Sequence, residues 1–341
     1  GKSDLSVADV MRHEAGLAAF DISLKAEDLH REQIKRNAIG AIIERQTQNF
    51  RGAGEDNWRE YHALTRGWIV NEIFRRVDPE RRTVGEFLRD DVAGPLGVDA
   101  MIGVPEADLP RISKVKAVGF LAHLKHSLMP HMLGRKVHHN IFTIVARGLK
   151  IVAARRANPG IKRPEPFERL KSTAGIKEPL AALCEVFNDQ LIEMGETPSA
   201  NAHCSARGLA KIASAMSMGG VSAGTQILSA QACQALHEAP IVRSLELMNT
   251  QFTQGGVARF APTKAGASTI EKALNRGREG FYGWMGLGGS IFQWHPEYQI
   301  GFAFVPTSLH VLDLVNERSQ VFQAEVLRIV ENARNGQVSK D

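Results

Sequence analysis

Cysteine is scarce in this chain. Cys184, Cys204 and Cys233 are three in 341 residues, with no Cys-x-x-Cys spacing. An odd, scattered set argues against a disulfide framework and fits a reducing compartment. Long apolar runs are also missing. Lys and Arg interrupt every candidate before it reaches the roughly 18 residues of a membrane span. The opening GKSDLSVADVMRHEAGL has no basic stretch leading into an apolar one, so no signal peptide is expected. Mitochondrial, cytoplasmic and ciliary settings all fit such a chain. There is no Walker loop, no dinucleotide fingerprint after a strand, no internal repeat and no low-complexity tract, and no cofactor is expected. His123, His126, His131, His138 and His139 crowd together, but their spacing matches no standard zinc site, so no metal is expected either.

What is present is ordinary soluble-globular composition, 43% apolar and 23% charged, in a chain long enough for a full core. The net charge of +5 is unevenly spread. Residues 111–171 hold fourteen Lys/Arg against Glu165 and Glu168, a balance of +12 that leaves −7 for the remainder. A block of this kind points to an acidic partner surface, with Arg135, Lys136, Arg147, Lys150, Arg155 and Arg156 as its binding residues. DNA is not expected. RNA or anionic membrane is a secondary expectation, because Phe120 and Phe142 are the main aromatics before Phe167 and base stacking needs more.

Periodicity places helices early and strands late. Ser6 with Asp9 reads as a capping-box start, with Gly16 as the stop. Leu64, Trp68, Ile69, Ile73 and Val77 recur at helical spacing. TVGEFLRDDVAGPLGV predicts a short helix closed at Gly94-Pro95. Residues 141–153 carry an amphipathic stripe of Ile141, Ile144, Val145, Leu149 and Val152, with Arg147 and Lys150 opposite. Residues 161–175 read as a loop. AALCEVFNDQLIEM is helical, SARGLAKIASAMSMGG is a helix capped by Ser205 and stopped at Gly219-Gly220, and SAQACQALHEA is a shorter one. FTQGGVARF, GGSIFQWHP and YQIGFAFVP read as strands within 249–305, and a long amphipathic helix ends the chain. This order predicts an α+β fold in a single domain. Residues 1–110 and 172–245 form the helical region, 111–171 a basic insertion, and 246–335 the antiparallel sheet and terminal helix. Two or three late strands make a thin sheet for so long a chain.

Several segments, in order, resemble the serine beta-lactamase-related family of class C beta-lactamases, penicillin-binding-protein-like peptidases and esterases. VADVMRHEAGL resembles the family's helix ending in His-x-x-Gly-Leu. YHALTRGWIVNEIFRRV, followed by FLRDDVAGPLGVDAMIGVPE, resembles its second-motif helix and the segment after it. PSANAHCSARGLAKIASAMSMGG, FTQGGVARF and GWMGLGGSIFQWHPEYQIGFAFV resemble its late helix, a nearby loop, and its third-motif strand with partner. The resemblance implies a beta-lactamase/transpeptidase-like fold and acyl transfer by the serine of a Ser-x-x-Lys pair. A Tyr of a Tyr-x-Asn motif assists, and a Lys-Thr-Gly or His-x-Gly strand lends a backbone donor to the oxyanion hole.

This sequence departs from that pattern. The family's Ser-x-x-Lys lies well upstream of the His-x-x-Gly-Leu helix, while His13 stands near the first residue, so the nucleophile and the first sheet strands are expected to be missing here. Ser113-Lys114-Val115-Lys116 and Thr269 to Lys272 match only by chance. The second motif falls at Tyr61-His62-Ala63: Tyr61 remains as a vestigial proton-transfer residue, and Ala63 takes the Asn position. The third falls at Trp284-Met285-Gly286, where Trp and Met would fill a pocket. Tyr61, His62, Ala63, Trp284, Met285 and Gly286 are therefore read as a vestigial cleft. The expectation is a catalytically inactive homologue serving as a structural subunit of a larger assembly with protein partners. An active esterase or peptidase with its nucleophile elsewhere is the alternative, and a peripheral RNA or membrane binder a third.

Overall fold

The computed structural model describes residues 2–49, 58–133, 163–168, 170–177, 179–245, 248–310 and 313–338, with positions 142, 145, 146, 149, 153 and 156 between them. It is an α+β structure built on a seven-stranded sheet. In chain order the strands used below are β1 (Trp58–Arg59), a short outlying β2 (Lys116–Ala117), β3 (Ile241–Leu245), β4 (Met248–Phe252), β5 (Ala258–Arg259), β6 (Tyr282–Met285), β7 (Ile291–His295), β8 (Ile300–Phe304) and the outlying β9 (Ser308–Leu309). The large sheet runs β1-β3-β4-β5-β6-β7-β8, and β9 pairs with β2.

The sheet is broader than the strand signals predict. Ile241–Leu245 begins it inside the stretch read as helical, and Trp58–Arg59 joins from far upstream as a parallel partner, Arg59 opposite Leu245. A two-residue strand carries no period of its own, so only its partner reveals it. All other pairings in this sheet are antiparallel, as expected.

The helices used below are α1 (Val7–Met11), α2 (Ala38–Arg45), α3 (Thr65–Val77), α4 (Phe120–Leu128), α5 (Ala206–Ser217), α6 (Thr269–Asn275) and α7 (Glu317–Val338). The Ser6–Asp9 capping box forms as read, but α1 stops at Met11, short of Gly16. The helix expected to close at Gly94-Pro95 continues through Leu96, and Gly97 ends it in the left-handed region. Pro95 sits in the first turn of that last piece, where its missing N–H costs nothing. Helix α6 interrupts the strand-rich region, started by a Ser268–Glu271 capping box. Ser205 caps α5 as predicted. Ser113 to Lys116 runs extended into β2, so the two side chains are not one helical turn apart.

Strand alternation then builds two layers. On β7, Phe292 and Trp294 join the core formed with Ile212, Ala213 and Met216 of α5, while Gln293 points the other way to Gln323 of α7. The sheet is thus covered on both faces. Helix α5 lies directly on β8, because at Gly301 any side chain would collide with the backbone of Ala210 and Ser214. A second core, with Leu24, Leu29, Ile39, Trp68 and Ile192, organises the helical region. Among the described residues no helix is long and apolar enough to cross a membrane. The amphipathic stripe at 141–153 lies largely outside the described residues. So do Arg135, Lys136, Arg147, Lys150 and Arg155, together with His138 and His139.

The buried guanidinium of Arg59 joins the two regions. It donates to Glu14 Oε1 at 2.7 Å, to Thr250 O and Oγ1 at 3.0 and 2.9 Å, and to Ile241 O at 3.1 Å. Removing one member of a buried ion pair typically costs about 3–5 kcal/mol. Arg59→Ala is expected to lower unfolding stability by about that amount, measured in urea. Arg59→Lys should recover only part of it, since one ammonium cannot meet the acceptors a planar fork reaches. A lysine variant as stable as the parent would contradict this role.

Candidate active site

The site grows directly from β1. After Arg59, Glu60 turns its carboxylate to Arg163, 2.5 Å away, and Tyr61 emerges 38% exposed. His62 then turns inward, fully buried. Its Nδ1–H donates to Glu60 O at 2.6 Å, and its Nε2 accepts from Leu17 N at 3.0 Å. Both ring nitrogens are spent on backbone, so His62 belongs to the support beneath the cleft rather than to the cleft itself. Its own N–H donates to Nδ1 of His13.

His13 is the platform on which Tyr61 rests. It adopts a left-handed backbone, φ 66°, just past the end of α1. That conformation is costly for a non-glycine residue and is held by its surroundings. Its ring centroid lies 4.6 Å from that of Tyr61 and 5.1 Å from that of Phe252. Burial, then the positive charges of Arg66 and its neighbours, hold His13 well below the ordinary imidazole range. Burial likewise pushes His62 down to about 4. Arg66 bridges the elements around this platform, donating to Met11 O and Gly256 O.

From the opposite side β6 delivers Trp284. Its indole Nε1–H donates to Tyr61 Oη at 2.9 Å. Its ring packs against Phe252 and Phe260, with centroids 4.9 and 6.3 Å away. Two residues 223 apart in sequence thus share one exposed hydrogen bond. Met285 does not fill the cleft; its sulfur lies 3.9 Å from Nη1 of the buried Arg278, against the core under α7. Ala63 is exposed and offers no hydrogen-bonding group. Gly286 opens the turn after β6, which α7 pins from behind: Asn316 Nδ2 donates to Gly286 O and Ser290 O. Gly288 and Gly289 have φ of 78° and 123°, which only glycine adopts readily.

A recess of about 320 Å³ opens beside Trp284. Asn249 to Gln251, Arg259 to Ala267, and Glu271, Leu274 and Asn275 of α6 line it, a balance of polar and apolar surface. Thr269 and Lys272 stand exposed on α6 and do not line the recess. Cys204 sits in a short pairing with Ala100, and burial raises its thiol to about 11, which suits a structural residue and not a nucleophile. Among the described residues no three His, Cys, Asp or Glu side chains are grouped to hold a metal. Arg59, His13 and Arg66 were not legible as site residues. For Arg59 and Arg66 the sequence signal is only a charge set in a short segment, whereas His13 also stands as the histidine of the His-x-x-Gly-Leu stretch.

The fold has counterparts in known proteins. The family model described as Beta-lactamase matches residues 1–324. Esterase/beta-lactamase LipL of Mycobacterium tuberculosis (strain ATCC 25618 / H37Rv) is 26% identical over 311 residues, 91% of this chain and 60% of that protein. The chain therefore spans less than two thirds of that curated relative. A solved family VIII carboxylesterase superposes with a TM-score of 0.63 at 21% identity, covering 95% of this chain and 72% of the other. A penicillin-binding protein homologue from Caulobacter crescentus gives 0.59 at 21%, with the same coverage. EstA from Arthrobacter nitroguajacolicus Rue61a gives 0.60 at 17%, covering 97% and 73%. At these identities the solved structures establish the fold.

The support beneath Tyr61 is sensitive to acid. Unfolded, a histidine takes up its proton near 6.5, whereas folded His62 does so only at about 4. Its contribution to stability is therefore complete above 6.5 and is lost as pH falls toward 4, by roughly 3 kcal/mol. Urea midpoints should decline over that window, and His62→Gln, which cannot charge, should flatten the decline. A parent protein whose midpoint is level across the window would disprove the linkage.

Proposed function

The chain belongs to the Beta-lactamase family, and on that premise we propose that it forms the tyrosine-bearing part of a serine ester hydrolase. The nucleophilic serine then lies outside residues 1–341 or on another chain. The observation that carries this reading is the Tyr61–Trp284 pair, held at 2.9 Å on the surface beside an open recess. A tyrosine kept exposed, oriented by an indole and backed by a neutral imidazole, has the attributes of a proton-transfer group and not of core filler. The names of the relatives, an esterase/beta-lactamase and a carboxylesterase, support ester substrates.

In this reading the indole N–H occupies one lone pair of the phenol and fixes its direction. The phenolic O–H and second lone pair remain to pass a proton between the serine and the leaving alcohol. On the β5 side only Tyr282 and Gly283 of β6 have strand partners. Trp284 and Met285 thus present a strand edge toward the site, where backbone donors can meet a developing oxyanion. The recess beside Trp284 takes the acyl or alcohol portion.

A second reading is favoured by a specific observation. By the resemblance Ala63 falls at the Asn position and Trp284 at that of the lysine or histidine, and the Trp284 indole is spent on Tyr61 and on packing against Phe252. On this reading the chain is a non-catalytic subunit of a protein assembly that docks through its basic block.

The gene product extended upstream of Gly1 separates the two. Hydrolase function predicts labelling of one serine by a fluorophosphonate and turnover of p-nitrophenyl butyrate. Tyr61→Phe should reduce kcat about 10²- to 10⁴-fold while the unfolding midpoint stays put. Neither label nor turnover in the extended protein would leave the non-catalytic subunit as the function.

A further inference from the structure

The basic excursion between β2 and Arg163 has three properties that the hydrolase reading does not use. The first is composition. Residues 117–162 contain eight Lys/Arg, namely Lys125, Arg135, Lys136, Arg147, Lys150, Arg155, Arg156 and Lys162, and not one Asp or Glu. Three flanking cations are engaged within the fold: Arg111 with Asp99 and Asp108, Lys114 with Glu193, Arg163 with Glu60. The excursion itself has no carboxylate of its own to offset its charge.

The second property is exposed apolar surface. On α4, Ser127 is buried, while Leu121, Lys125 and Leu128 face out at spacings of four and three, one helical face. Leu121 is 77% exposed, and Met132 just beyond the helix is 96% exposed. Phe142, Val145 and Leu149 follow at spacings of three and four on helical backbone and are also exposed, with Arg156 exposed two turns on. So many exposed apolar side chains, on a segment with no negative charge, are otherwise a liability in water.

The third property is where the excursion is rooted. At one end Lys116 and Ala117 pair with Ser308 and Leu309, and His310 N donates to Gly288 O in the turn after β6. At the other end Arg163 is bound to Glu60, the residue before Tyr61. Both roots therefore stand at the rim of the Tyr61–Trp284 site.

We propose that this excursion docks the protein on an anionic phospholipid surface, with Leu121, Leu128, Met132, Phe142 and Leu149 entering the headgroup boundary among the lysines and arginines. Lipid is favoured over nucleic acid because the exposed apolar residues are mostly aliphatic, and only Phe120 and Phe142 are available to stack on bases. It is favoured over a protein partner because a side chain as free of neighbours as Met132 protrudes singly. A bilayer accepts such a group without matching its shape. Anionic headgroups supply the charge that the segment lacks. The rooting of the excursion then brings the site's mouth to the membrane, where an ester carried by lipid is within reach. Docking itself does not depend on the hydrolase reading.

The test is flotation of the purified chain with vesicles of phosphatidylcholine alone or containing phosphatidylglycerol. The chain should float with the anionic vesicles and stay behind with the neutral ones, and added salt should weaken the partition at least about tenfold. The charge-neutral double variants Leu121→Ser/Met132→Ser and Phe142→Ser/Leu149→Ser should each weaken it about tenfold with unchanged thermal unfolding. Lys125→Glu/Arg156→Glu should do the same. No flotation with anionic vesicles would overturn the proposal. So would serine variants that bind as the parent does, or salt-sensitive binding to single-stranded RNA without binding to vesicles. Because no step needs a nucleophile, a failed flotation leaves the hydrolase reading standing, and a failed ester assay leaves docking standing.

Discussion

A guanidinium removed from water has to be met on every side, and Arg59 is. It touches Glu14 from the segment after α1, Ile241 and Thr250 from the β3–β4 hairpin, and the face of Phe252 at 5.2 Å. Burial pulls this group below its ordinary pKa while Glu14 opposes the shift, so the pair is viable only as a pair. Its position decides much else. Arg59 is half of a two-residue strand, and Tyr61 follows two residues later. Fixing the guanidinium fixes the register of β1 against β3, and with it the direction in which Tyr61 leaves the sheet.

The site is assembled by the same logic from elements with little local stability of their own. His13 stands at the frayed end of a five-residue helix and is held by packing and by the His62 N–H. Trp284 comes from the far end of the chain on a strand whose following turn is tied down by Asn316 and Arg318 of α7. The exposed contact between Tyr61 and Trp284 is where the helical region and the sheet meet. Such a junction suits chemistry, because each half can be rigid while the groove between them remains open. It also explains why a neutral histidine lies beneath the tyrosine: a charged imidazole at His13 would be buried beside the positive charges of Arg66 and Arg59.

The basic excursion stands outside this economy. Among the described residues elsewhere, buried charges such as Glu196 are met inside the fold, here by hydrogen bonds from Thr83, Asn71 and Gly85 with Arg31 at 3.5 Å. Residues 117–162 carry charge of one sign, and among the described ones Leu121, Leu128, Met132, Phe142 and Leu149 are turned to solvent. A fold that spends so much on internal satisfaction elsewhere gains something from leaving this segment unsatisfied. An external surface that is both anionic and apolar satisfies both features at once.

The sequence alone determined the α+β class, the caps of α1 and α5, and the collinear motifs that mark the family. Helical period, capping residues and glycine turns are local properties, written within a few residues of where they act. It also singled out Tyr61 and Trp284, because the motif order implied one cleft, and the structure joins these two by a hydrogen bond. The tertiary structure alone decided which neighbours serve that cleft. His62, adjacent to Tyr61 in sequence and read as lining the cleft, turns into the core because its two ring nitrogens find backbone partners there. Met285 packs under α7, where Arg278 and the core receive it. Arg59 and His13 become essential supports through contacts with residues dozens to more than two hundred positions away, as did the strands at 58 and 241 that widened the sheet. Burial and long-range pairing are set by what arrives from elsewhere in the chain, and no local pattern records that.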